Sequence, residues 1–117
     1  MNYRLSLLNE LVNFSRDLSS VQKELSLLPW DYSGIPFQVT KAHICNILSR
    51  YLSDDLNEKD IELWANLLEG REDIDYVEEC ETLIENIIFR LANPVIEGTL
   101  SHELALQIVD SLSKCDR

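Results

Sequence analysis

The sequence predicts an all-α single domain over residues 1–117, a bundle of about five amphipathic helices with no sheet, and three observations predict it. Apolar residues recur at spacings of three and four in segment after segment, the period that gathers them on one face of a helix. Prolines and glycines, three of each, fall between those segments and not inside them. Hydrophobic residues make up 45% of the chain, enough for one core that buries roughly two-thirds of the unfolded surface.

In the first segment Leu7, Leu11, Phe14, Leu18, Val21, Leu25 and Leu28 follow one another at 4-3-4-3-4-3, which predicts a helix over about 4–28. A stripe this short reads as a bundle seam and not as a zipper. Leu5, Leu8 and Val12 lie on another side, so the N-terminal half is expected to be covered on two sides. The run Pro29-Trp30-Asp31-Tyr32-Ser33-Gly34-Ile35-Pro36 then stops the helix, because each proline restricts the residue before it and Gly34 frees the turn. Trp30 and Tyr32 sit in that loop, either as anchors for a partner or folded back over the core.

Helix two is capped by Thr40 and carries Ile44, Ile47, Leu48, Tyr51 and Leu52 on one face. His43 in its first turn has no Cys, His or carboxylate at ligand spacing, and reads as a surface or internally satisfied residue. Helix three starts after the cap Asn57, with Glu58 and Asp60 where the helix dipole favours negative charge, and ends at Gly70. At ~100° per residue Glu58, Glu62 and Glu69 fall within about 40° of one another and form an acidic strip. Leu63 and Leu67 lie roughly opposite, with Ile61, Trp64 and Leu68 in the arc between. Helix four follows Arg71–Tyr76 and runs to Ala92, with Val77, Cys80, Ile84, Ile87, Ile88 and Leu91 inward and Glu78, Glu81 and Glu85 on the flanks. Phe89 points away from that arc, as an anchor inside a charged patch or as a residue covered by another helix. Asn93-Pro94 closes the helix, Gly98 turns the chain, and Ser101 caps a last helix with Leu104, Ala105, Ile108, Val109 and Leu112 inward. His102 is an exposed first-turn residue.

The charge is localised. Asp54 to Glu85 carries thirteen acids against two bases, Lys59 and Arg71, and so accounts for the whole net charge of −11, because the eight acids and eight bases elsewhere cancel. A field of this kind on one side of a small domain repels nucleic acid and anionic lipid and attracts a cationic protein. An acidic outer face alone is ordinary for a helix. What is not ordinary is the absence of Lys or Arg four residues on, since mixed-sign pairs at that spacing stabilise a helix and like charges destabilise it. No apolar run approaches the ~20 residues of a membrane span and the first residues do not read as a secretory leader, so a soluble, unprocessed cytoplasmic protein is expected. Cys45, Cys80 and Cys115 are odd in number and widely spaced, and read as reduced thiols at or near the core.

Two segments carry a resemblance. Trp64-Ala-Asn-Leu67-Leu-Glu69-Gly-Arg71-Glu72-Asp73-Ile74, followed by Ile88-Phe-Arg-Leu91-Ala-Asn93-Pro94-Val-Ile96-Glu-Gly98-Thr-Leu100, resembles a family of small helical bacterial immunity proteins of contact-dependent growth inhibition and other polymorphic toxin systems. The resemblance covers about residues 60–112. It implies an all-helical cytoplasmic antidote that binds the C-terminal toxin domain of its own system, often a cationic nuclease, and blocks it. It also implies that Trp64, Arg71, Leu91, Pro94 and Gly98 form the common scaffold. Contacts with the partner are then expected from Asp54, Asp55, Glu58, Glu62, Glu69, Glu72, Asp73, Asp75, Glu78 and Glu79.

Two other readings use the same acids. Glu69-x-x-Glu72 with Asp75, Glu78 and Glu81 is similar to the carboxylate clusters that hold Mg²⁺ in all-α nucleotide pyrophosphohydrolases. No second such pair stands on a separate facing helix, and no basic, Gly-rich segment is placed for phosphates. An acidic mimic of nucleic acid that titrates a DNA-binding protein is the other reading. With no Ser/His/Asp or Cys/His constellation either, the expectation is a binding protein with no catalysis, metal or cofactor of its own.

Overall fold

A computed structural model of the chain describes residues 3–28, 34–69, 71, 73–77 and 80–115. The N-terminal apolar stripe is carried by two helices, not one: α1 (Tyr3–Asn13) and α2 (Leu18–Ser26). The break is at Phe14, whose φ of 49° is left-handed. Its N–H bonds to the Leu11 carbonyl at 3.1 Å and the Ser15 N–H to the Glu10 carbonyl at 3.0 Å, so the turn satisfies carbonyls that the helix leaves open. Arg50 reinforces it from across the fold, donating from Nη1 to the carbonyls of Asn13 (3.1 Å) and Phe14 (2.9 Å) with its guanidinium 5.4 Å from the Phe14 ring centre. Asp17 then caps α2 by accepting the Ser20 N–H at 3.1 Å. Arg16 ties the two helices together through Glu10 and Glu24, each at 2.8 Å. Leu7, Leu11, Leu18, Val21 and Leu25 are all buried, so the stripe crosses the break with its core face intact.

The expected absence of a sheet is corrected as well. β1 (Phe37–Val39) and β2 (Ile74–Tyr76) pair in parallel, Phe37 opposite Ile74, Gln38 opposite Asp75 and Val39 opposite Tyr76. Parallel strands need a long crossover, and α3 (Lys41–Leu52) with α4 (Glu58–Leu68) supplies it. The chain continues through α5 (Glu81–Ala92), the single turn α6 (Pro94–Glu97) and α7 (His102–Lys114). Seven helices and two short strands are thus present among the described residues, and helix dominates.

The capping expectations hold. Thr40 and His43 form a reciprocal capping box at α3, Asn57 and Asp60 another at α4, and Ser101 accepts the Leu104 N–H at α7. Gly98 ends α6 with φ 104° and ψ 146°, a conformation almost confined to glycine. Helix four begins later than expected, at Glu81 with Cys80 as its N-cap, so Val77 and Cys80 precede it.

One continuous core joins every element except the single turn α6. Trp64 is its largest buried side chain and donates its indole N–H to the Val12 carbonyl at 3.1 Å, fixing α4 against the end of α1. Cys80 and Cys115, expected as separate thiols, form a disulfide with Cα atoms 6.1 Å apart, inside the usual range. It joins the start of α5 to the end of α7. Cys45 is free and half-buried, and burial pushes its thiol pKa up. No helix among the described residues is long and apolar enough to cross a membrane.

Candidate functional site

The described acids of 54–85 lie before α4, along it and, beyond its C-terminal end, in β2 and α5. At the N-terminal end of α4 Asp54 has a left-handed backbone, φ 67°, which Asp tolerates. Asp55 pairs with Arg50 at 2.7 Å, and Glu58 occupies the first helical position. Burial first, and then the charges of Glu58 and Asp54, raise the pKa of the Tyr51 phenol.

The helix stops at Leu68. Glu69, its C-cap, keeps a helical φ of −64° and donates its N–H to the Ala65 carbonyl at 2.9 Å, so its Cα–Cβ bond still leaves on the face of Glu58 and Glu62, and its ψ of 130° turns only the chain that follows. Further acids act at this C-terminal end. Tyr76 in β2 is half-buried, and its phenol is pushed up to about 12 by burial and by Glu85, Glu69 and Asp75. The charges of three carboxylates thus act on one phenol. At 1.5 Å per residue the 11 residues of α4 set its two ends roughly 16 Å apart. Among the described residues Glu58, Glu62, Glu69, Asp75, Glu81 and Glu85 make no ion pair. Their field is left uncompensated.

Asp73 is the correction to the site. It was expected at the surface, yet it is 3% exposed. Arg4 reaches its Oδ2 at 2.7 Å, and Arg71 grips it with Nε on Oδ1 at 2.8 Å and Nη2 on Oδ2 at 2.9 Å. Burial works to raise its pKa, and the hydrogen bonds from Arg71 and Arg4 outweigh it and hold the carboxyl below its ordinary value. Asp73 secures α1 to the segment before β2, buried and not at the surface. Glu72, Glu78 and Glu79 lie outside the described residues, as do Gly70, Trp30 and Tyr32.

The histidines are accounted for locally. His43 accepts the Thr40 N–H on Nδ1 at 2.9 Å, and burial lowers its pKa. His102 is exposed, with its ring edge-on to Tyr51 at 5.3 Å. Among the described residues no group of three His, Cys, Asp or Glu side chains is placed to hold a metal ion.

Sequence reasoning did not find the two clefts beside α6. The first, about 400 Å³, lies between α4 and the Leu91–Leu100 segment and is lined by Glu58, Glu62, Arg90 and Val95 among others. The second, about 470 Å³, has Phe89, Arg90, Glu97 and Leu104 in its wall. Val95 is 98% exposed and Ile96 71%. The signal was the Val-Ile pair between Asn93-Pro94 and Gly98, too short a stretch to show a periodicity. Comparison with family models, with curated proteins and with solved structures returns no match.

Proposed function

We propose that this chain is a helical binding module for a cationic protein, and specifically an antidote that captures the C-terminal toxin domain of its own system, such as a nuclease, in the cytoplasm. The observation that carries the reading is the arrangement of unpaired carboxylates: Asp54, Glu58 and Glu62 before and along α4, Glu69, Asp75 and Glu85 at and beyond its C-terminal end. A nuclease needs Lys and Arg to hold phosphates, so carboxylates set along and beyond a rigid helix are complementary to its cationic surface and overlie the same charges that its substrate uses. Long-range attraction also speeds capture. The resemblance of the Trp64–Ile74 and Ile88–Leu100 segments to immunity proteins supports the narrower reading. Inhibition of this kind is stoichiometric and asks for no catalytic group, metal or cofactor from the chain.

The test is capture of the tagged protein from its native host, with the partner identified by mass spectrometry. The expected partner is a basic toxin domain whose gene lies beside that of this chain. Recovery of acidic proteins or nucleic acid alone counts against the proposal.

A further inference from the structure

We propose that the one-turn helix α6 and its two flanking clefts are a docking site for a cationic amphipathic segment of the partner, whose apolar side chains enter the clefts while its Lys and Arg side chains meet the acidic rim. The inference rests on the reading of the chain as a binder of basic proteins, and adds an apolar anchor beside Glu58 and Glu62.

Val95 is 98% exposed, Ile96 71% and Phe89 44%. Single exposed apolar residues are ordinary. Here Val95 lines the first cleft and Phe89 the second, Ile96 follows Val95 in the same turn, and the two clefts share Arg90 and Leu104; apolar groups rimmed by charge have the layout of an interface anchor. The turn that presents them is held at both ends: Pro94 begins it with a fixed φ, and the Gly98 N–H returns to the Pro94 carbonyl at 2.9 Å. A preformed turn loses little entropy on binding.

Charge selects the occupant. Glu58, Glu62 and Glu97 line the clefts with Lys59 and Arg90, and Asp54 stands at the same end of α4, so the local field remains negative. A second copy of the chain would bring the same acids and a net charge of −11 to an equally charged face, and is repelled. A segment with Leu-like side chains on one face and Lys or Arg on the other satisfies both the clefts and the rim.

Calorimetry on the full chain tests this with three synthetic 18-residue probes: Leu and Lys patterned as an amphipathic helix, the same pattern with Glu for Lys, and Lys alone. The Leu/Lys peptide is expected to bind, and Val95→Ser with Ile96→Ser, which leaves the charge unchanged, is expected to weaken it about tenfold or more, the loss that follows removal of an interface anchor. Phe89→Ser, on the second cleft, provides an independent variant should the first pair disturb the turn. Binding of the Lys-only peptide should change less than about twofold in either variant, because its attraction is long-range. Equal affinity of the Leu/Glu peptide, or Leu/Lys binding indifferent to both variants, overturns the proposal. So does sedimentation showing a dimer that Val95→Ser with Ile96→Ser dissociates. If the Lys-only peptide fails to bind at low salt, the acidic-surface reading itself falls; if it binds and the apolar variants have no effect, only the docking site does.

Discussion

Arg4 in α1 and Asp73 before β2 are 69 residues apart in sequence and 2.7 Å apart in the fold, with side chains 9% and 4% exposed. Removing one member of a buried pair leaves the other charge uncompensated, at a cost of about 3–5 kcal/mol. Asp73→Ala, which takes this carboxylate away from both Arg4 and Arg71, is expected to lose on the order of 3 kcal/mol in urea unfolding. Asp75→Ala, two residues on and exposed, should change stability by less than ~0.5 kcal/mol.

Stability should fall with acid in two stages. His43 is held below its ordinary value of 6.5 and Asp73 below 3.8. A group whose pKa is depressed by folding contributes fully above its unfolded pKa and loses that contribution as pH drops through the folded one. The first decline is therefore expected below about pH 6.5 and should vanish in His43→Gln, which keeps a side chain able to complete the capping box. The second begins below about 3.8 and should flatten in Asp73→Asn. Urea midpoints measured across the acid range check both.

Tyr76 reports the carboxylate charges that act on it without any partner. Its ionisation near pH 12 should appear as the last step in a near-ultraviolet titration and disappear in Tyr76→Phe. Glu69→Gln with Asp75→Asn should lower it, since those carboxylates oppose a phenolate. A step that does not move places the two acids away from the ring.

The disulfide spans 35 residues. Loop-closure entropy gives a crosslink of that length about 3–4 kcal/mol. Dithiothreitol is expected to lower the urea stability of the wild type by this order, and Cys115→Ser should unfold at the reduced wild-type midpoint whether or not reductant is present.

Association with the cationic partner should slow markedly between 0.01 and 0.15 M salt, as the screening length falls from ~30 to ~8 Å, while dissociation changes less. Glu69→Lys with Asp75→Lys should abolish protection of toxin-expressing cells in a folded protein, since like charges set face to face cost several kcal/mol. Stopped-flow rates indifferent to salt, or full protection by the double variant, would place the contact surface elsewhere.

What the sequence revealed depended on how local the cause was. The caps at Thr40, Asn57 and Ser101 were legible because each is settled by residues three positions apart. The break at Phe14 was not, because the 4-3 spacing runs straight through it and part of what holds the turn is Arg50, far along the chain. β1 and β2 alternate apolar-polar-apolar, Phe-Gln-Val and Ile-Asp-Tyr, but three residues are too few to tell that period from the end of a helix. Asp73 and Asp75 look alike in a run of acids. What separates them is Arg4, which no spacing rule brings near. The location of the charge was readable; that the charges of Glu69, Asp75 and Glu85 act together on Tyr76 was not, since it turns on the pairing of β2 and on the packing of α5 against α4.

The parallel pairing of β1 with β2 has a consequence for how the acidic surface comes into being. A fragment beginning at Lys41 would keep every acid between Asp54 and Glu85 and hence the full −11 of that stretch. It would lack the strand that holds Asp75 in register and one of the two arginines that hold Asp73, Arg4. Contacts across such sequence distances form only after long loops close. Charge and shape are therefore separable in this chain: the first is written in one short stretch, and the second arises only when the N-terminal third has folded onto it.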